Sequence, residues 1–145
     1  MRSRYAASRA RVSAIVEAER RLELALRYLG EGRALIDRDP VQASEKLYKA
    51  AEEAVKALAL HFGLSDILEK VEKRGRWTVT ELEKAVEAIA EKVGGWFLDS
   101  WDHAWALHVW GFHEAKLDAE SMKLRAPSVE RMVEEAKKLV GSGHR

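Results

Sequence analysis

Between Trp96 and Met122 the chain reads WFLDSWDHAWALHVWGFHEAKLDAESM, 27 residues with no proline and one glycine, Gly111. A run of this length and composition predicts one long central helix. It constrains the fold more than any other stretch, because it carries four of the five tryptophans and three of the five histidines. At about 100° per residue, Trp101, Ala104, Trp105, His108, Gly111, Phe112, Ala115, Ala119 and Met122 share one face, the pattern of a core-facing stripe. A second stripe lies nearly opposite and holds Leu107, Trp110, Leu117 and Leu124, mixed with Asp99, His103 and Glu114. An apolar strip behind a helix whose other face meets the core is expected at or near an interface between two copies of the chain.

The remaining chain is a succession of helical patterns with short punctuation and no strand-like alternation. A first helix is expected from about Ser8 to Leu29, with Ile15, Leu22, Ala25, Leu26 and Leu29 inward, loosened at Gly30 and Gly32. Asp39-Pro40 with Gln42 is a strong start signal: an N-cap, a proline at the first helical position and a capping-box residue. The second helix turns Leu47, Tyr48, Ala51, Ala54, Val55, Leu58 and Phe62 inward and stops at Gly63. A short helix from Ser65 to about Lys73 precedes the basic turn Lys73-Arg74-Gly75-Arg76-Trp77. Thr78 and Glu81 form a capping box for a helix whose inward residues are Val79, Leu82, Val86, Ile89 and Val93, ended by Gly94-Gly95. Ser128 is expected to cap a last helix with Val129, Met132, Val133, Ala136 and Val140 inward. The fold class is therefore all-α: an up-and-down bundle of about five helices in a single domain spanning residues 1–145, with a flexible arm at 1–8 and a flexible tail at 142–145.

Charge and cysteine usage narrow the function classes. The 25 basic and 24 acidic side chains leave a net charge of +1, so no global field draws the chain to nucleic acid or to an anionic membrane. Without cysteine there is no disulfide framework, thiolate metal site or thiol nucleophile. No window reaches the apolar length of a bilayer span, and the apolar run after Arg2, Arg4, Arg9 and Arg11 is too short for a signal peptide; a cytoplasmic location is expected. The chain lacks asparagine, has one glutamine and is rich in Glu, Lys and Arg, a combination expected of a thermophilic source.

Chemistry is sought first among the histidines. Five residues turn an α-helix by about 500°, so His103, His108 and His113 point roughly 140° apart in sequence and cannot share a metal. Asp99 and His103, one turn apart, supply two ligands for a site that another chain would have to complete, against the simpler reading of an Asp99–His103 hydrogen bond. No cofactor is implied. The turn from Lys73 to Trp77, with Lys73, Arg74, Arg76 and Trp77, is the best local candidate for contacting RNA or a nucleotide, as against a solvated turn with Trp77 tucked beneath it. The tryptophans themselves read as core or interface before they read as base-stacking platforms.

Two segments, Asp39-Pro40-Val41-Gln42-Ala43-Ser44-Glu45-Lys46-Leu47-Tyr48-Lys49-Ala50-Ala51-Glu52 and Leu107-His108-Val109-Trp110-Gly111-Phe112-His113-Glu114, resemble the archaeal PaREP family, itself similar to a branch of the HEPN (higher eukaryotes and prokaryotes nucleotide-binding) superfamily. The resemblance covers roughly residues 15 to 140. It implies a dimerising helical bundle, a binding or regulatory role in a toxin–antitoxin or nucleotidyltransferase-linked system, and a nucleotidyltransferase-type protein partner. HEPN ribonucleases carry arginine, four to six arbitrary residues, then histidine beside the dimer cleft. His113 falls at the histidine position, but counting back gives His108 or Ala106 and never an arginine. Arginine's permanent charge and fork hold a scissile phosphate as histidine does not, so the expectation is no enzyme by that motif. The competing expectation is an RNA-cleaving or nucleotide-handling enzyme that uses His108 and His113, in a groove shared with His103 and Glu114 and bordered by the Lys73–Arg76 turn or the N-terminal arm. Against it, His108 on the core stripe beside Gly111 also reads as a buried, neutral hydrogen-bonding group.

Overall fold

Asp39-Pro40, the strongest punctuation in the sequence, marks the first tight turn of the fold. A computed structural model describes residues 4–142, and residues 1–3 and 143–145 lie outside it. Helix α1, Arg4–Leu35, and helix α2, Pro40–His61, are joined through Ile36–Asp39, where the Asp39 amide donates to the Leu35 carbonyl at 2.7 Å. Asp39 caps α2 as expected, accepting from the Gln42 amide at 3.1 Å. The connection leaves α1 and α2 as antiparallel neighbours with the most extensive contact in the molecule.

Helix α1 does not loosen at Gly30 or Gly32 and is already formed at residues 4–8, where an arm was expected. Gly32 is a packing device. A Cβ there would stand 2.9 Å from the Leu47 side chain and 3.2 Å from its amide nitrogen, so only glycine lets α2 approach this closely. The centre of the bundle is α2 rather than the tryptophan-rich run. It buries residues on most of its circumference, Leu47, Tyr48, Ala51, Ala54, Val55 and Leu58 among them, and packs against α1, α4 (Val79–Val93), α5 (Trp96–Ala106), α6 (Ala119–Ser142) and the π segment described below. Its alanines make this possible by keeping the helix thin.

Helix α3, Ser65–Arg74, lies outside the core and buries no side chain. Gly63 (φ 62°) and Gly75 (φ 76°) turn the chain on either side of it in the left-handed region that favours glycine. Helix α4, Val79–Val93, starts with the expected capping box of Thr78 and Glu81 and buries Leu82, Val86 and Ile89. Val79, expected inward, is exposed, because at the first helical position it precedes the turn that reaches the core.

The run from Trp96 to Met122 is not one helix. It forms α5, Trp96–Ala106, then a π-helical segment, Leu107–His113, and stops; α6, Ala119–Ser142, starts nine residues before the expected cap at Ser128. Ala115 sits at φ 53°, left-handed for a residue with a Cβ, and the Lys116 amide folds back on the Trp110 carbonyl at 2.7 Å. Asp118 then caps α6 by accepting from the Ser121 amide at 2.9 Å, a contact that holds its carboxyl below the ordinary range. Pro127 lies inside α6 with its ring exposed, and Val129, Met132, Val133, Ala136 and Val140 are buried as expected. The fold is an all-α bundle of six α-helices and one π segment among the described residues.

Candidate functional site

The site is built where the π segment crosses α2. Gly111 rests on Ser44 so closely that a Cβ would lie 2.4 Å from the serine oxygen. The Ser44 hydroxyl donates to the Pro40 carbonyl at 2.7 Å and stands 3.1 Å from Met122 Sδ, which fixes the contact from both sides. From this crossing, His108, three residues before Gly111, meets Tyr48, four residues after Ser44. Their rings stack with centroids 4.1 Å apart and planes at 22°.

Three polar groups then fall in line. His108 Nδ1 is 3.0 Å from Glu45 Oε1, and His108 Nε2 is 3.2 Å from His113 Nε2. An α-helix brings residues four apart together, whereas the i to i+5 bonding of a π-helix sets residues five apart over one another, as in the 2.9 Å bond from the Glu114 amide to the Val109 carbonyl. The histidines expected to diverge therefore meet. Glu45, an acceptor when ionised, takes the Nδ1–H of His108 and leaves Nε2 free to accept from His113 Nε2–H; a proton can pass between the two nitrogens. His108 and Glu45 are half-buried and His113 is exposed, so the line runs from the protein body to solvent.

The floor beneath the line is aromatic and acidic. Trp105 is half-buried 5.3 Å from the His108 ring, and Trp101 is buried against Tyr48 at 5.7 Å with its indole N–H donated to Glu83. Burial, with Glu52, Glu45 and Glu83 adding negative charge, pushes the Tyr48 hydroxyl far above its ordinary range, so it stays a donor. Burial likewise pushes the Glu52 carboxyl up, partly offset by Lys56. Glu45, Tyr48 and Glu52 were not expected at a site. Their spacing on α2, three and then four residues, puts them on one helical face, but nothing local sets that face apart from other polar positions of the helix such as Lys49 and Glu53.

The other candidates are placed elsewhere. His103 Nδ1 lies 2.6 Å from Ser128 Oγ and ties α5 to α6, so the His103 ring is engaged there rather than with Asp99. Among the described residues no group of three or more His, Asp or Glu can hold a metal ion. Glu114 is exposed at the end of the π segment. In the basic turn, Arg74 donates to Glu81 at 3.3 Å and to Thr78 at 3.3 Å, bracing the start of α4, while Lys73 and Arg76 are exposed. Trp77 is half-buried against Lys56, Leu60, Leu68 and Val71 around a cavity of about 390 Å³. Lys56 is about 16 Å along α2 from Glu45, so the turn does not border the histidines. Leu107, assigned to an interface by its spacing, is fully buried in the core, on the side of α5 that also buries Phe97, Ser100 and Ala104. Trp110 and Leu124 are 53% and 77% exposed, and Leu117 is half-buried.

An all-α bundle whose late π segment joins two imidazoles to a carboxylate on its central helix is the class this geometry defines. The model of the archaeal PaREP1/PaREP8 family matches residues 20–133, and the chain belongs to that family. A crystal structure of a Sulfolobus solfataricus protein, target SsR10, is 36% identical, with a TM-score of 0.76 over 81% of this chain and 96% of that one. The solution structure of target SsR10 is 35% identical, with a TM-score of 0.65 over 88% of this chain and 94% of that one. No curated protein matches the chain. No helix among the described residues is long and apolar enough to cross a membrane.

Proposed function

We propose that the chain is a HEPN-like homodimer in which the Glu45–His108–His113 line of each copy moves the protons of an RNA or nucleotide phosphoester. The 3.2 Å contact between the two Nε2 atoms carries this reading, because it gives one proton two basic sites and directs one of them to solvent. In transphosphorylation the ribose 2′-oxygen loses its proton to an imidazole as it attacks phosphorus. The bond to the 5′-oxygen breaks, and that oxygen takes a proton from an imidazolium, leaving a 2′,3′-cyclic phosphate and a 5′-hydroxyl. Attack and departure occur on opposite sides of phosphorus, whereas imidazoles in contact sit on one side. A single copy therefore supplies one of the two proton transfers, and a second copy, apposed through Trp110, Leu117 and Leu124, supplies the other. Similarity to HEPN proteins supports this placement of His113 beside a dimer cleft.

A second reading is a binding or regulatory protein that holds RNA or nucleotide at the same line without cleaving it, alongside a nucleotidyltransferase-type partner. The absence of an arginine separated from His113 by four to six residues favours it. Incubation of the purified chain with structured RNA separates the two. Cleavage that falls at least about 100-fold in both His108→Ala and His113→Ala supports proton transfer. Binding without cleavage favours the second reading. A His113 imidazole signal that ignores every RNA and nucleotide added rejects both.

A further inference from the structure

Helix α1 runs for 14 residues, Arg4 to Glu17, before its first buried side chain, Ala18. On its outer side Tyr5, Arg9, Val12, Val16, Glu19 and Glu23 recur alternately four and three residues apart, the spacing of a coiled-coil seam. Tyr5, Val12 and Val16 are 70%, 59% and 50% exposed, an unusual setting for three large apolar side chains on one stripe. The opposite side of α1 is already used: Ala18, Ala25 and Leu29 are in the core, and Ala14 and Ile15 face Leu60 and Val140 across a shallow groove. A helical stretch of this length with little support is marginal in water and gains stability from a partner.

The order of charges along the stripe identifies that partner. Cationic Arg9, its guanidinium 4.7 Å above the Tyr5 ring, lies on one side of the valines, and Glu19 and Glu23 lie on the other. We infer that the outer stripe of α1 binds α1 of a second copy of this chain, antiparallel, about a two-fold axis between Val12 and Val16. In that register Val12 meets Val16 of the second copy, Arg9 meets Glu19, and the Tyr5 hydroxyl meets Glu23. Each contact occurs twice, as an isologous interface requires. A polyanion fits the stripe poorly, because the carboxylates of Glu19 and Glu23 would face its phosphates. Tyr5, Arg9, Val12, Val16 and Glu19 all precede residue 20, where the family match begins. It is also separate from the Trp110 side of the molecule and does not depend on the histidine line.

Light scattering after size-exclusion chromatography of the intact chain tests the inference. Val12→Lys with Val16→Lys is expected to reduce the mass at least twofold while the thermal melt of the bundle is kept, whether or not the Trp110 side also joins copies. Arg9→Glu alone is expected to weaken association about tenfold, and Arg9→Glu combined with Glu19→Arg to restore it, since every copy then carries both exchanged charges. A wild-type monomer at about 100 µM, an unchanged mass for the valine variant, or no recovery in the charge exchange overturns it.

Discussion

His113 Nε2 stands 3.2 Å from His108 Nε2 although five residues separate them, because the backbone from Leu107 to His113 is π-helical. On an α-helix the same two rings would point away from each other. The proposed chemistry therefore rests on a helix type, and the helix type is bound up with one close contact, Gly111 on Ser44.

Gly111→Ala is expected to push the π segment off α2. Its new methyl would fall 2.4 Å from Ser44 Oγ, and overpacking of this kind costs about 1–3 kcal/mol. Ser44→Gly in the same chain removes both clashing atoms and should recover part of the loss. Urea denaturation of the four proteins gives the coupling; additive losses would show that the two sites do not meet.

Neutral His108 should occupy the Nδ1–H tautomer, because Glu45 accepts at that nitrogen at 3.0 Å. Long-range proton–nitrogen NMR reads the tautomer directly. Glu45→Gln weakens the preference, and an Nε2–H tautomer in the wild type would contradict the proposed line.

Glu52 gives a pH-dependent prediction. Burial raises its carboxyl above the ordinary range, so the folded state binds a proton that the unfolded state releases between that range and the raised value. Its protonated form favours folding at acid pH, and that contribution is lost as pH rises through the raised folded value. Glu52→Gln is therefore expected to melt higher than the parent at about pH 7, with the gap narrowing toward about pH 4. A lower melting temperature at neutral pH would mean that the 3.7 Å contact with Lys56 outweighs burial.

Ala115→Gly should stabilise the chain despite adding backbone freedom. At φ 53° a residue with a Cβ is strained by roughly 1–2 kcal/mol, more than the added unfolded-state entropy of glycine. Thermal unfolding is expected to shift upward by a few degrees; a decrease would show that Ala115 carries no such strain.

The sequence by itself determined the all-α class, the caps at Asp39 and Thr78, the end at Gly63 and the inward stripes of α2 and α6, because these depend on chain-local chemistry and on periodicity. Tertiary structure decided the rest. Gly32 reads locally as a helix breaker, yet the approach of Leu47 makes it a packing residue inside a continuous α1. Ala115 reads as a helix former, yet it turns left-handed where the chain closes on Trp110 and starts α6 afresh. The two histidines were expected to diverge because spacing translates into direction only once the helix type is known, and the π winding accompanies the packing of Gly111 on a residue 67 positions earlier in the chain. Glu45 and Tyr48 joined the site through that same contact, which no local pattern records.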